Sequence, residues 1–136
     1  MVNKVTIFTD GGARGNPGPA GIGAVIKYDN QVLKLKKYIG HATNNQAEYQ
    51  AVILGLEKAK ELGALEVDVF LDSELVQQQL SQKYKVKNAD LGALFVKVWN
   101  LAMNFKKIKY THIYRQDNKL ADKLVNEAID EGLGKN

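Results

Sequence analysis

The sequence predicts a single α/β domain in which helices flank a mixed five-stranded sheet. Residues 3–10, 21–29 and 31–39 each show the alternation and the β-branched residues of strands, and the short connections between them predict an antiparallel meander. An apolar repeat of 3.6 residues then runs from Thr43 to Leu62 and predicts a long helix. Because a crossover helix makes the strands on either side of it parallel, the fourth strand, residues 67–71, should lie beside the first.

Turn residues and helix caps separate these elements. Both prolines lie between Gly11 and Pro19, a segment that we expect to be a compact loop. Residues 29–30 predict a hairpin turn between the second and third strands. The spacing of Thr43 and Gln46 is that of a capping box, and Gly63 is a suitable residue to end the helix.

After the fourth strand, the pattern predicts three helices and one more strand. Two helices cover residues 74–80 and 90–104, a fifth strand covers 108–114, and an amphipathic helix covers 118–130. The predicted order of elements is therefore βββαβααβα.

The composition limits the possible classes of function. The length suits one domain, residues 1–136, and we expect residues 132–136 to be a short tail. Without cysteine the chain has no disulfide, no thiolate metal site and no cysteine nucleophile. It shows neither a secretory signal nor an apolar run that could span a membrane, so we expect a cytoplasmic protein. A formal net charge of +4 is compatible with a polyanionic partner.

Four carboxylates occupy positions where a solvated charge is not expected. Asp10 and Asp72 each end an apolar strand of a predicted parallel pair, so both should lie at the edge of the sheet where α/β proteins bind ligands. Glu48 lies on an apolar side of its helix, and Asp122 borders the buried stripe of the last helix. Carboxylates that converge without histidine or cysteine suit Mg²⁺ or Mn²⁺. Two such ions can activate water and stabilise the leaving oxygen of a phosphodiester.

Three of these carboxylates also have an ordinary structural explanation. An aspartate at a strand end commonly forms a turn or caps a helix, which would account for Asp10 and Asp72. Asp122 would be a first-turn carboxylate favoured by the helix dipole. Glu48 has no such explanation, so the prediction of a metal site depends on the four residues together.

Four segments carry these carboxylates and resemble the four signatures of type 1 ribonuclease H: residues 9–21, 43–49, 71–73 and 118–122. They occur in the order of that family and extend over nearly the whole chain. The resemblance implies the ribonuclease H-like fold, with sheet order 3-2-1-4-5 and strands 1–3 antiparallel. It also implies endonucleolytic hydrolysis of the RNA strand of RNA/DNA hybrids, giving 5′-phosphate and 3′-hydroxyl ends.

The resemblance implies a role for each carboxylate. Asp10, Glu48, Asp72 and Asp122 would be the catalytic set and would bind two Mg²⁺ or Mn²⁺ ions in the substrate complex. Asp10 would bridge both ions, and Glu48 would also lie near the ribose 2′-hydroxyl.

Four neutral residues would contact the hybrid if the resemblance holds. Asn16, Asn44 and Asn45 are candidates for reading the 2′-hydroxyl that distinguishes RNA from DNA. Thr43 would hold a phosphate of the DNA strand with help from backbone N–H groups at the helix start. Helix capping is the alternative explanation for Thr43 and Asn44, and the two roles are compatible.

The chain departs from many family members in two places. Where some insert a large basic protrusion, it has only residues 81–88, whose Lys83, Lys85 and Lys87 would form either a modest phosphate-binding edge or a solvated loop. Where many carry a histidine before the last helix it has Arg115, which cannot act as a base but can bind phosphate.

We expect no catalytic role for the histidines or for the lysines of the third strand. We expect His41 and His112 to be structural. We expect Lys34, Lys36 and Lys37 to be surface charges on the third strand.

Two other functions remain open on the sequence alone. A resolvase or transposase core would share the carboxylates but has no need of the asparagines. A non-catalytic module that binds hybrid or duplex RNA would need neither metal nor cleavage. For an enzyme we expect a monomer with no hybrid-binding N-terminal module and no obligatory protein partner.

Overall fold

The strands and helices follow the predicted order. The computed structural model describes residues 2–82 and 85–135. Its strands are β1 (Lys4–Ala13), β2 (Gly18–Tyr28), β3 (Gln31–Ala42), β4 (Glu66–Leu71) and β5 (Lys107–His112). Its helices are α1 (Asn44–Glu61), α2 (Glu74–Leu80), α3 (Ala89–Ala102) and α4 (Lys119–Gly132), with a 3₁₀ turn at Arg115–Asp117.

The sheet has the predicted topology. Its order is β3-β2-β1-β4-β5. Strands β1, β2 and β3 pair antiparallel, whereas β4 is parallel to both β1 and β5. Within the described part of the chain, none of the helices has the length and apolar character needed to cross a membrane.

The prediction that residues 11–19 form a loop is wrong for most of these residues. Strand β1 continues to Ala13 and β2 begins at Gly18, so only residues 14–17 connect them. Gly12 pairs with Gly21 and so lies within the antiparallel ladder. The local rule that glycine and proline mark loops fails here because pairing with β2 holds these residues extended.

The continuation of β1 changes the position of Asp10. This residue does not end its strand, because it pairs with Gly23 of β2. It lies instead where β1 leaves β4, since the last parallel pair is Thr9 with Leu71. The strands separate at this point, and Asp10 and Asp72 are the next residues on the two chains. The two residues are therefore close because β1 and β4 separate here, and not because both strands end here.

Smaller differences concern other element ends. Strand β3 runs three residues further than predicted, to Ala42, and β5 ends two residues earlier, at His112. Helix α4 continues to Gly132, where a side chain would overlap the ring of Tyr38. Gly132 therefore belongs to α4 and not to the predicted tail, and the assignment of residues 133–136 to a tail stays a prediction.

The main core lies between the sheet and α1. Val5 and Ile7 of β1 and Val67 and Val69 of β4 are at most 1% exposed and pack with the apolar face of α1. Burial of apolar surface stabilises this packing by about 25 cal/mol per Å² removed from water. Helix α4 packs on the opposite face, over β2 and β3. The sheet is thus held between two helices whose N-termini both lie at the end where β1 and β4 separate.

The caps of α1 are those that the sequence predicts. The Thr43 Oγ1 atom accepts the backbone N–H of Gln46 at 3.1 Å, and the Gln46 side chain accepts the N–H of Thr43 at 2.9 Å. Gly63 has a φ of +73°, in the left-handed region, directly after the C-cap residue Leu62. The capping box fixes where the helix begins and therefore which way Glu48 points.

The two outer strands have polar side chains along their edges. The backbone carbonyl of Tyr110 in β5 accepts a hydrogen bond of 2.9 Å from the Gln77 side chain of α2. On β3, Lys36 pairs with Glu127 at 3.5 Å and with Glu131 at 2.7 Å. The predicted surface role of Lys36 is confirmed.

Candidate active site

Three of the four predicted carboxylates converge. Each of Asp10, Glu48 and Asp72 has a carboxylate oxygen within 4.8 Å of those of the other two. Asp10 comes from β1, Asp72 from the residue after β4, and Glu48 from the second turn of α1. We call these three residues the acidic cluster. It lies at the sheet edge that the parallel pairing of β1 and β4 predicts.

Gly11 brings α1 against β1 at the acidic cluster. A Cβ atom at this position would overlap the backbone carbonyl of Ala47, so only glycine permits the approach. The Gly11 N–H lies 3.0 Å from Asp10 Oδ1 and 3.2 Å from Glu48 Oε1. One backbone donor therefore orients two carboxylates.

Glu48 is suited to hold a cation. Its side chain is buried, and its Oε2 atom has no hydrogen-bond partner among the residues that the structure describes. A buried carboxylate oxygen without a partner is costly unless a cation or donor binds it. An all-oxygen set of this kind matches the preference of Mg²⁺ and Mn²⁺. The residues present therefore fit a divalent metal ion.

Asp122 belongs to the same cavity and contacts Asp10, although it is not part of the acidic cluster. It lies in the first turn of α4 and lines the cavity with the other three carboxylates. It is not within the 4.8 Å set. Its charge and its side-chain hydrogen bond with Asp10 both help to raise the pKa of Asp10.

Burial and mutual repulsion disfavour the charged forms of the acidic cluster. Burial, together with the charges of Asp72 and Asp122, raises the pKa of Asp10 to about 7, although a hydrogen bond with Glu48 acts in the opposite direction. Burial raises the pKa of Glu48 well above its ordinary value, and the charge of Asp10 adds to this. A cation at this position would favour the charged forms and relieve the repulsion.

The metal-free protein should lose stability as the pH rises, and Asp10→Asn should remove part of that loss. Since the pKa of Asp10 is about 7 in the folded protein against 3.8 ordinarily, the folded state binds more protons between these values. Stability therefore falls as the pH rises through that window. At pH 8 we expect the variant to be more stable by up to about 4 kcal/mol.

Thermal melts in EDTA at pH 4 and pH 8 would measure this difference. The gain of Asp10→Asn should be large at pH 8 and close to zero at pH 4, where Asp10 of the wild-type protein is itself neutral. Mg²⁺ at pH 8 should raise the melting temperature of the wild-type protein more than that of the variant. An equal gain at both pH values would show that charge is not the cause.

The cavity around the carboxylates has a volume of about 470 Å³ and holds several predicted substrate-binding residues. Asn44, Asn45 and Arg115 line it, whereas Asn16 and Thr43 do not. Its basic side chains come from opposite sides, Arg14 from the β1–β2 connection and Arg115 from the 3₁₀ turn. Negative and positive groups thus share one cleft, as a bound phosphodiester with metal ions would require.

Asn16 and Asn44 tie the β1–β2 connection to the start of α1. Asn16 Oδ1 accepts the backbone N–H of Asn44 at 3.0 Å, and Asn44 Oδ1 accepts the N–H of Ala13 at 2.8 Å. The capping explanation is confirmed for Thr43, whose hydroxyl is engaged at the N-terminus of α1. It is wrong for Asn44, because that side chain stabilises β1 and not its own helix.

The other basic residues predicted to act in or near the site do not line the cavity where the structure describes them. Lys85 and Lys87 are exposed and do not line the cavity, and Lys83 lies outside the described residues. His41 is exposed on β3, and His112 ends β5 with its ring edge-on to Tyr114 at 5.7 Å. Neither histidine lines the carboxylate cavity, and the structural role predicted for them stays a prediction.

Sequence reasoning missed Arg14, which lines the carboxylate cavity, and Asn118, which contacts Asp72. Arg14 forms an ion pair with Asp130 at 2.6 Å and lies 3.4 Å from the side-chain oxygen of Asn126. These contacts fix the β1–β2 connection to α4 across more than a hundred residues of chain, so no local pattern could reveal them. Asn118 donates a hydrogen bond of 2.9 Å to Asp72, although its position suggests an ordinary helix cap.

A second cavity, of about 610 Å³, lies between α2, α3 and β5. Phe95, Val98 and Trp99 form much of its wall. None of the described residues that line it is acidic, and it contains no cluster of groups that could bind a metal ion. We therefore place the candidate site in the smaller cavity.

Comparison with known proteins agrees with this fold. A family model described as reverse transcriptase-like matches residues 8–128. LC11-RNase H1, obtained from compost by a metagenomic approach and solved in complex with an RNA/DNA hybrid, superposes with a TM-score of 0.89. It is 46% identical, and the match covers 95% of this chain and 99% of that one. The chain thus has the ribonuclease H-like α/β architecture.

Two relatives differ in how much of their own length this chain matches. Ribonuclease H of Marinobacter nauticus is 33% identical, with 96% of this chain and 97% of that protein covered. The bifunctional protein Rv2228c of Mycobacterium tuberculosis is 48% identical over 130 residues, but the match spans only 36% of its length. The chain belongs to the type 1 ribonuclease H family.

Proposed function

We propose that this protein is an endoribonuclease that hydrolyses the RNA strand of RNA/DNA hybrids, using two divalent metal ions and giving 5′-phosphate and 3′-hydroxyl ends. The observation that carries the proposal is the acidic cluster with its unpartnered Glu48 oxygen. A buried set of like charges is unfavourable on its own, and a metal ion is the partner that its chemistry requires. The hybrid bound to LC11-RNase H1 supports the choice of substrate.

Asp10, Glu48, Asp72 and Asp122 would hold the metal ions. Bound Mg²⁺ or Mn²⁺ supplies a nucleophilic water at neutral pH and stabilises the leaving oxygen. The protein orients the ligands: the Gly11 N–H fixes Asp10 and Glu48 on one side of the site. Asp122 enters from the first turn of α4 and would complete the set of ligands beside Asp10.

The surrounding polar residues would position the hybrid. The Oδ1 atoms of Asn16 and Asn44 are engaged by backbone N–H groups, so the Nδ2 donors are the atoms that remain to meet acceptors such as the 2′-hydroxyl oxygen. Asn45 lies in the cavity wall beside them.

Phosphate contacts would come from both ends of the site. Arg115 in the cavity can bind a phosphate, and Thr43 at the N-terminus of α1 can do so with backbone donors. Lys85 and Lys87, which lie outside the cavity, would add further phosphate contacts, and Lys83 would belong to the same predicted edge. Because these contacts are ionic, binding should weaken as salt is added.

An end-labelled RNA/DNA hybrid incubated with protein and Mg²⁺ or Mn²⁺, and resolved on a denaturing gel, tests the proposal. Duplex RNA, duplex DNA and single-stranded RNA serve as matched substrates, and EDTA serves as the metal-free control. We expect metal-dependent cutting of the hybrid's RNA strand. Folded protein that binds the hybrid but cuts in neither metal would overturn the proposal and favour a binding module.

A further inference from the structure

Asn118 has an unusual arrangement for a residue at a helix start. It occupies the N-cap position of α4, where an asparagine side chain normally accepts a backbone N–H of the first turn. Here the side chain makes no such bond. Its Nδ2 atom instead donates to the backbone carbonyl of Thr9 at 2.8 Å and to Asp72 Oδ2 at 2.9 Å. The residue is only 2% exposed.

These two bonds connect the ends of β1 and β4 at the position where the two strands separate. Thr9 is the last residue of β1 that pairs with β4, and Asp72 directly follows β4. The backbone carbonyl of Asn118 accepts the N–H of Asp122 at 3.1 Å and so begins the helix that carries this fourth carboxylate. One residue therefore contacts the segments that carry Asp10, Asp72 and Asp122.

The arrangement disfavours folding in two ways. Asn118 Oδ1 is buried without a hydrogen-bond partner among the described residues. Helix α4 also begins without a side-chain cap. Both are costs that a purely structural residue would avoid, because serine or aspartate at this position would cap the helix.

Asp72 needs to be held in place because its neighbours repel it. It is half-buried, whereas Asp10 and Glu48 are buried, so rotation toward solvent offers it a way to leave the other two charges. A neutral amide donor opposes that rotation without adding a charge that would compete with a cation. The amide donates to Oδ2 of Asp72 only, so Asn118 does not engage Oδ1.

We propose that Asn118 is a positioning residue that holds Asp72 in the metal-binding arrangement before metal or substrate binds. The inference builds on the proposed function and adds a residue that acts through Asp72 without touching the metal. Loss of the amide should weaken metal binding and catalysis more than it weakens folding or hybrid binding.

Three variants separate positioning from a merely structural role. Asn118→Ala removes both side-chain bonds. Asn118→Ser also removes the amide bridge but can cap α4, which protects folding. Gln77→Ala is the matched control, because Gln77 is another buried amide that donates to a backbone carbonyl, that of Tyr110, away from the carboxylates.

Calorimetric titration with Mn²⁺ at pH 7.5, thermal melts in EDTA and hybrid-cleavage kinetics are measured on each variant. Both Asn118 variants should bind Mn²⁺ about 10-fold or more weakly and lose kcat, with the KM for hybrid changed by less than about twofold. Gln77→Ala should melt at a lower temperature yet bind Mn²⁺ as the wild-type protein does.

The outcomes distinguish the two proposals. If both Asn118 variants bind Mn²⁺ as tightly as the wild-type protein while the wild-type protein cleaves, the positioning role is overturned and the proposed function stands. If Asn118→Ala and Gln77→Ala weaken Mn²⁺ binding equally, the effect is one of general stability and the inference is again wrong. A wild-type protein that neither binds Mn²⁺ nor cleaves would overturn the proposed function as well.

Discussion

Asp10→Asn should abolish cleavage of RNA/DNA hybrid and leave hybrid binding nearly unchanged. Asp10 lies in the acidic cluster, and its pKa is raised to about 7 by burial and by the charges of Asp72 and Asp122. Asparagine keeps the shape, and its Oδ1 can still accept the Gly11 N–H that Asp10 accepts at 3.0 Å. The charge that would bind metal is lost. Since bound metal ions supply several kcal/mol of transition-state stabilisation, we expect kcat to fall by about 1000-fold or more.

Single-turnover cleavage and fluorescence anisotropy of a labelled hybrid would measure the two quantities separately. Asp68→Asn is the matched control, because Asp68 lies on β4 outside the cavity and forms a surface ion pair with Lys4 at 3.1 Å. It should cleave at close to the wild-type rate. Residual cleavage by Asp10→Asn above a tenth of the wild-type rate would show that Asp10 is not needed to hold the metal. A wild-type protein without any cleavage would instead indicate the non-catalytic binding module.

Gly11→Ala should destabilise the protein severely, whereas Gly12→Ala should not. The added methyl group at residue 11 would overlap the Ala47 carbonyl, which belongs to the backbone of α1 and cannot rotate away. At residue 12 the methyl group would lie 3.8 Å from Asn44 Oδ1 and 3.9 Å from Val125 Cγ1, which are ordinary contacts. We expect a loss of about 3 kcal/mol or more for the first change and a shift within about 1 kcal/mol for the second.

Thermal melts of the two variants at one pH in EDTA give the comparison. For a chain of this length a loss of 3 kcal/mol corresponds to a fall in melting temperature of roughly 10 °C. The displaced α1 also carries Glu48, so Mn²⁺ binding should weaken in Gly11→Ala even below its melting temperature. If the two variants melt within a few degrees of each other, the contact between β1 and α1 does not constrain the site as described.

The topology could be predicted because periodicity and connection length encode it. The change from period 2 to period 3.6 after the third strand marks α1, and the crossover rule then places β4 beside β1. The same rule predicts that Asp10 and Asp72 lie close together. Glu48 was identifiable because a charge on an apolar helix face has few structural explanations.

The parts that could not be predicted depend on contacts between distant segments. Glycines in the first loop signature indicate a turn by local preference, but here Gly11 and Gly12 are extended because β2 pairs with them. The ion pair of Arg14 with Asp130 joins the two ends of the chain and leaves no local pattern. Asn118 resembles an ordinary N-cap in sequence, and only the fold shows that its amide is used elsewhere.

The hydrogen bond from Gln77 to the Tyr110 carbonyl also bears on how copies of the protein behave at high concentration. An outer strand whose backbone groups are free can add a strand from another molecule and so begin aggregation. Here a side chain occupies one of those backbone acceptors on β5, and the exposed Lys107 and Lys109 place charges along the same strand. The lysines of β3 place charges along the opposite edge of the sheet. Both outer strands of the sheet therefore carry features that oppose edge-to-edge association between molecules.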